Sequence, residues 1–283
     1  MKSSVQPCLI FCKLLVVAAA CLTVQRADAT LLFEDGFNYS TGGLGSSDVS
    51  PPGLSGNAWS GGSSHIIVTN ANLTYSGLLD LGGNSVQDTW GVSAGSVINT
   101  YANQTSGTIY YSFLLDVTAA PSGSQYLTSL NPGTGAPNGS SDALQVDVGP
   151  GTTGGYEVGL RTAGASLTLD PTVLSLGTIY MVVAEYNFAG TGTASLYLDP
   201  IPGGSQPTAA VTLAGNGSVT GIDDVGFKAQ SSSTTGTFLI DNLMIGTAWG
   251  DVTPVAVPEP QSYTLVLAGM GLLSLATRRI LRK

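Results

Sequence analysis

Along most of its length the chain alternates apolar and polar residues with the two-residue period of a half-buried strand. Leu144, Val146 and Val148 alternate with Gln145 and Asp147, and Tyr156, Val158 and Leu160 with Glu157, Gly159 and Arg161, so each segment offers one face to a core and one to solvent. Longer β-branched and aromatic runs at 108–117 and 178–188 lack that alternation and predict central strands covered on both faces, or strands with bulges. Between them lie turn clusters such as Asn131-Pro132-Gly133-Thr134-Gly135, Gly149-Pro150-Gly151 and Pro202-Gly203-Gly204, whose Gly and Pro break helix and ladder alike. No segment of residues 30–256 sustains an apolar stripe of helical period. About a dozen short strands, with a turn roughly every ten residues, predict an all-β sandwich or barrel.

The two ends depart from this pattern. Residues 1–29 carry Lys2 and Lys13 around an apolar run at 14–22 and close on Ala27-Asp28-Ala29, the small-x-small form of a signal-peptidase site, so cleavage would leave Thr30 first. A lipoprotein reading of Ala18-Ala19-Ala20-Cys21 is opposed by Ala18, where that motif usually has Leu. At the other end, Pro258-Glu259-Pro260 precedes an uncharged stretch at 261–277 and then Arg278, Arg279, Arg282 and Lys283. As a helix that stretch reaches about 25 Å, just enough to cross a hydrocarbon core. Four cations directly behind it hold that end in the cytoplasm and place everything before Pro258 outside.

Tripeptide, apolar segment and basic tail in this order resemble the bacterial PEP-CTERM sorting signal. The resemblance implies recognition by an exosortase, which cleaves near the tripeptide and passes the body from an inner-membrane-anchored precursor to the cell surface or extracellular matrix. The plainer reading is a tail anchor, in which Pro258 and Pro260 only stop a strand or helix from running into the span. The expected organisation is a signal peptide at 1–29, one β domain at 30–254 and the sorting signal at 257–283, with signal peptidase and exosortase as processing partners.

Cysteine and charge narrow the chemistry. Cys8, Cys12 and Cys21 all fall in the leader, so the mature body has no disulfide, thiolate metal site or cysteine nucleophile. Setting aside Asp28 and Glu259, 16 of the 18 acids remain in residues 30–256 against Arg161 and Lys228 alone, a net charge of −14. Nucleic-acid binding is excluded for want of a basic patch, and a direct grip on anionic lipid or acidic polysaccharide is disfavoured.

The ends of the body carry a second resemblance. Leu32-Phe33-Glu34-Asp35-Gly36-Phe37-Asn38-Tyr39, followed by Gly42-Gly43-Leu44 and Trp59-Ser60-Gly61, is similar to the first strand of concanavalin A-like, laminin-G-type jelly rolls. Phe238-Leu239-Ile240-Asp241-Asn242-Leu243-Met244-Ile245-Gly246-Thr247-Ala248-Trp249 is similar to their last strand. The resemblance implies a jelly-roll β-sandwich whose first and last strands are neighbours.

Catalytic chemistry is sparse. Glycan hydrolysis needs two convergent carboxylates, yet Glu34, Glu157 and Glu185 each lack an acid two or four residues away, and Asp223-Asp224 would point to opposite faces of a strand. His65, the only histidine, sits before Ile66-Ile67-Val68 without a nucleophile-elbow pattern. No cofactor is expected, although Asp35, Asp223 and Asp224 beside Gly-rich turns leave calcium open. Trp59, Trp90, Tyr75, Tyr101 and Tyr126 flank Gly- and Asn-rich loops and are the candidates for a sugar-stacking surface, Trp59, Trp90 and Tyr101 foremost, against ordinary core packing. The expectation is a non-enzymatic exported surface or matrix protein associated with exopolysaccharide. The alternatives are a carbohydrate-binding module and a glycan hydrolase or lyase.

Overall fold

The computed structural model describes residues 30–45, 48, 57–91, 94–133, 142–163, 165–215, 218–229 and 234–256. The expected leader with Ala27 and Ala29, the Pro258-Glu259-Pro260 motif, the apolar segment and the basic tail lie outside the described residues.

Alternation becomes sixteen strands: β1 (Leu31–Asp35), β2 (Gly42–Gly43), β3 (Ser60–Gly62), β4 (Ile66–Thr69), β5 (Ser85–Trp90), β6 (Gly95–Gln104), β7 (Thr108–Ala119), β8 (Gln125–Asn131), β9 (Leu144–Pro150), β10 (Tyr156–Arg161), β11 (Thr168–Leu169), β12 (Tyr180–Asn187), β13 (Thr193–Leu198), β14 (Val211–Ala214), β15 (Ile222–Ala229) and β16 (Gly236–Gly246). They form two antiparallel sheets. A nine-stranded sheet runs β14-β13-β12-β7-β16-β5-β4-β2, with β1 also on β16; a seven-stranded sheet runs β11-β10-β9-β8-β15-β6-β3. The all-β sandwich read from the pattern is present, and β1 and β16, the first and last strands, pair antiparallel. The two long apolar runs are β7 and β12, both internal to the nine-stranded sheet.

Between the sheets lies the main core, which includes Phe33, Tyr111, Phe113, Leu127, Val146, Val158, Phe227 and Ile240, all buried. Burying such side chains contributes about 1.5–3 kcal/mol each, which is what a thiol-free body has to rely on. A second, smaller cluster sits on the outward face of the nine-stranded sheet, where Leu114, Met181, Val183 and Met244 pack with Leu73, Leu78 and Val252. A break in β16 makes this cover possible. Its register shifts between Asp241 and Met244, and Asn242 takes a left-handed backbone, φ 54°. The freed side chains hold the covering segment: Leu73 N donates to Asp241 Oδ2 at 2.8 Å, Leu81 N to Asn242 Oδ1 at 2.8 Å, and Asn242 Nδ2 to Leu79 O at 2.9 Å.

One short helix, α1 (Trp249–Val252), was not foreseen by the periodicity, since four residues are too few to show it. It docks the chain end on the same outward face. Ser112 Oγ donates to Val252 O at 2.7 Å, Gly203 N to Thr253 O at 2.8 Å, Leu79 N to Pro254 O at 2.9 Å, and Ala256 N to Gly77 O at 3.0 Å. The fold therefore reaches Ala256, two residues beyond the expected boundary.

Candidate functional site

The inward residues of the seven-stranded sheet are apolar: Val146 and Val148 on β9, Val158 and Leu160 on β10, Leu127 and Leu130 on β8, Val225 and Phe227 on β15. Alternation then turns Gln145, Asp147, Arg161, Ser129, Asn131, Asp224 and Lys228 outward. Register brings them together. Asp224 lies opposite Asn131, Ser129 opposite Gln145, and Gln145 opposite Arg161. A β-bulge between Tyr126 and Thr128 keeps Tyr126 on this face, opposite Asp147.

The face is polar and yet largely withdrawn from solvent. Asn131 Nδ2 donates to Asp224 Oδ1, Gln145 Nε2 to Asp142 Oδ2 at 2.9 Å, and Arg161 Nη2 to Asp147 Oδ1 at 3.0 Å, with Asp147 fully buried and Arg161 32% exposed. Lys228 Nζ stands 4.9 Å from the Tyr126 ring centroid, a cation–π contact. Both cations of residues 30–256 thus sit on this one face.

Each pair leaves an atom over. Asn131 Oδ1, Asp224 Oδ2, Gln145 Oε1, Asp147 Oδ2, Arg161 Nε and Ser129 Oγ are buried without a hydrogen-bond partner. Six of the eleven such atoms among the described residues are therefore on this face; the others belong to Asp88, Asn99, Tyr101, Asp116 and Tyr156. An unpaired buried polar atom costs about 1–3 kcal/mol, and this face concentrates six of them beneath its surface.

Burial governs the titration. It pushes Asp224 up to about 8, against the Asn131 amide and with help from Asp223 and Asp142. Burial lifts Asp147 to about 6 despite the Arg161 guanidinium. Lys228 is lowered by burial, with Asp142 opposing.

Beside the start of β15 lies an open pocket of about 270 Å³ lined by Asn103, Pro132, Gly133, Thr220, Gly221 and Asp223. A side chain at Gly221 would strike the Asn103 amide at 2.5 Å, so a glycine there lets Asn103 lie across the pocket.

The residues singled out from sequence fall elsewhere or play other parts. Trp59, Trp90 and Tyr101 are buried core residues rather than sugar-facing platforms. Trp59 stacks on Phe227 at 5.3 Å, Trp90 packs on Phe238 at 4.1 Å, and Tyr101 lies 6.3 Å from Phe33. Asp35, the calcium candidate near the start of the body, has both carboxylate oxygens engaged in hydrogen bonds within the chain. Oδ1 accepts from Phe37 N at 2.7 Å, and Oδ2 from Tyr39 Oη at 2.6 Å and Trp59 Nε1 at 2.9 Å. Asp223 and Asp224 part company, as expected of neighbours in a strand: Asp223 Oδ1 accepts from Gly133 N at 2.6 Å, while Asp224 joins Asn131. Among the described residues no group of three or more His, Cys, Asp or Glu side chains is placed to hold a metal ion.

Asn131, Gln145, Asp147, Arg161 and Lys228 were not candidates from sequence, because they are spread over four strands, β8, β9, β10 and β15, and meet only through register. One signal pointed to them: the two isolated cations of an otherwise acidic body.

Comparison with known proteins fits the two parts of the chain separately. Residues 256–283 match the family described as the PEP-CTERM protein-sorting motif. No curated protein matches the chain. Among solved structures, an alginate lyase in complex with alginate tetrasaccharide aligns over 77% of this chain and 96% of its own, at 12% identity and TM-score 0.50. An endo-β-1,4-glucuronan lyase from the fungus Trichoderma reesei aligns over 66% and 92%, at 13% identity and TM-score 0.43. At these identities the likeness is one of fold. The described residues form a β-sandwich of the architecture seen in that alginate lyase, and the chain ends in the PEP-CTERM sorting motif of exported, exosortase-processed proteins.

Proposed function

We propose that this exported protein binds a polysaccharide of the extracellular matrix along the outward face of the seven-stranded sheet, without turning it over. The observation that carries this reading is the run of polar side chains across β15, β8, β9 and β10, from the open pocket lined by Asp223 to the partly exposed Arg161. Adjacent strands present them as a row rather than a cluster, and a row suits an extended oligomer. A concanavalin A-like type for the sandwich and an exopolysaccharide setting belong to the same proposal. The alginate lyase of similar fold was solved with a tetrasaccharide, which agrees with a glycan on such a scaffold.

Binding rather than hydrolysis is favoured because Asp147 and Asp224 each have one oxygen already held, whereas a paired acid and base need a water or glycosidic oxygen between them. His65 stands off this face, just ahead of β4.

The test is retention of the full chain, in detergent micelles, on gels containing soluble polysaccharides. Retention should be lost in Arg161→Ala and Lys228→Ala and kept in His65→Ala. Equal retention of all four proteins would reject this face, and release of unsaturated ends from alginate would replace binding with a lyase activity.

A further inference from the structure

The most exposed apolar side chains gather beside the segment that leads into the sorting motif. Ile201 is 79% exposed, Val255 48% and Leu79 39%, and Leu176 is the only other large hydrophobic among the described residues that is comparably open. We infer that Ile201, Val255 and Leu79 form a docking patch for a lipid bilayer, which seats the sandwich on the membrane for as long as the tail remains attached. The patch owes nothing to the polysaccharide face; it depends on residues 261–277 crossing a bilayer, as their lack of charge leads one to expect.

Three segments meet at this spot. Val255 bridges Leu78 in antiparallel fashion. Leu79 N donates to Pro254 O at 2.9 Å on one flank, and Gly203 N donates to Thr253 O at 2.8 Å on the other. Gly203 belongs to the turn Pro200-Ile201-Pro202-Gly203-Gly204, closed by Gly204 N donating to Ile201 O at 3.0 Å. A glycine is needed there twice over: its backbone is left-handed, φ 70°, and a Cβ would strike Val255 Cγ2. The turn thus lies against Val255 and holds Ile201 out in solvent beside it. Trp249 Nε1 donates to Gly204 O at 3.1 Å, which sets a partly exposed indole at the rim, the kind of ring that settles at a membrane–water interface.

What covers the patch follows from where the chain goes next. Ala256 N is bonded to Gly77 O, and the uncharged stretch begins after only four more residues. With that stretch in the bilayer, the patch and the lipid surface are held within reach of each other, and a contact too small to recruit a free protein becomes effective. A second copy fits less well, because three side chains fall far short of the about 800 Å² per partner that a stable interface buries. Charge decides the kind of lipid. Residues 70–84, 199–210 and 247–256 contain no Lys or Arg, while Asp80 and Asp199 stand exposed beside Leu79 and Ile201. Anionic headgroups are therefore repelled rather than attracted, and the contact is apolar, made at a zwitterionic surface.

The experiment places a fluorophore on the patch and a quencher in the lipid. The full chain, with Cys8, Cys12 and Cys21 replaced by Ser, carries either Ile201→Cys or Thr191→Cys. Each is labelled with an environment-sensitive dye and reconstituted into phosphatidylcholine vesicles with and without nitroxide-tailed lipid. Thr191 is exposed in the turn at the far end of β13 from Ile201. The label at 201 should be quenched several-fold more than the label at 191, should keep that difference in high salt, and should lose part of it when phosphatidylglycerol replaces much of the lipid. Val255→Asp, added to the Ile201→Cys chain, should bring its quenching down to the level at 191, with circular dichroism showing the sheet intact. Equal quenching at both positions overturns the inference, as does quenching at 201 that Val255→Asp leaves unchanged. A blue-shifted dye at 201 that the lipid-borne nitroxide cannot reach would show a second copy or the tail itself on the patch, which also overturns it. Protein that does not float with the vesicles overturns the membrane span and the docking with it. None of these outcomes bears on retention by polysaccharide.

Discussion

Arg161 on β10 reaches Asp147 on β9 with an Nη2–Oδ1 distance of 3.0 Å, and the two partners differ in burial, the carboxylate being wholly enclosed and the guanidinium a third exposed. That asymmetry decides what each half is worth. Deleting the cation strands a buried negative charge, whereas deleting the charge on Asp147 leaves a guanidinium that water can reach.

Arg161→Gln should therefore destabilise the fold by about 2–4 kcal/mol, and Asp147→Asn by about 1 kcal/mol. Urea denaturation of the two variants gives the comparison directly. Equal losses would mean that the pair behaves as an ordinary surface contact.

Asp35 should be a second point of weakness. Its carboxylate gathers Phe37 N, Tyr39 Oη and Trp59 Nε1 and holds Phe37 in a left-handed backbone, φ 52°, a conformation that costs a bulky residue about 1–2 kcal/mol. Asp35→Ala orphans three donors, two of them inside the core, for an expected loss of about 3–6 kcal/mol. A variant within about 1 kcal/mol of wild type would show that these donors find water.

Stability should fall as pH rises from about 4 to about 8. Burial raises Asp147 to about 6, Asp88 to about 7, and Asp224 and Asp241 to about 8, all from an ordinary 3.8. Each group keeps its proton in the folded chain at a pH where the unfolded chain has released it. The folded state thus binds more protons across this window, and the slope of stability against pH is negative there. Thermal melts of wild type should show Tm dropping through the window and levelling below about pH 4, and Asp224→Asn should flatten the upper part. A Tm that climbs between pH 5 and 8 would contradict this account.

Processing at the C-terminus is open to mass spectrometry. In a host with an exosortase, the wild-type protein at the cell surface should lack Lys283, and Glu259→Ala should retain it, because a lone carboxylate between two prolines is a charged, extended handle for the enzyme. If the motif were only a hinge before an anchor, both proteins would keep Lys283.

The sandwich was legible in the chain because strand periodicity is local. Leu144, Val146 and Val148 alternate with Gln145 and Asp147 within five residues, and five residues are enough to assign the two faces. The polar face was not legible, because it is assembled by register between distant segments: Asn131 meets Asp224 across 93 positions. A search for acids alternating along one strand passes over it, since Asp147, Asp224 and their amide partners come one or two to a strand. Trp59 misled for a related reason. Its Gly- and Ser-rich surroundings read as an exposed loop, but the partner that draws its indole inward, Asp35, lies 24 residues earlier.

The bond from Ala256 N to Gly77 O ties down the chain at the residue where the sorting motif begins. Only residues 257–260 intervene before the apolar stretch, a leash of at most about 14 Å even when fully extended. Ala256 lies on the side of the sandwich that bears α1, while Arg161 and the enclosed Asp147 belong to the other sheet. On the proposed reading, the face offered to a polysaccharide and the residue that leads into the sorting motif therefore lie on opposite sides of the sandwich.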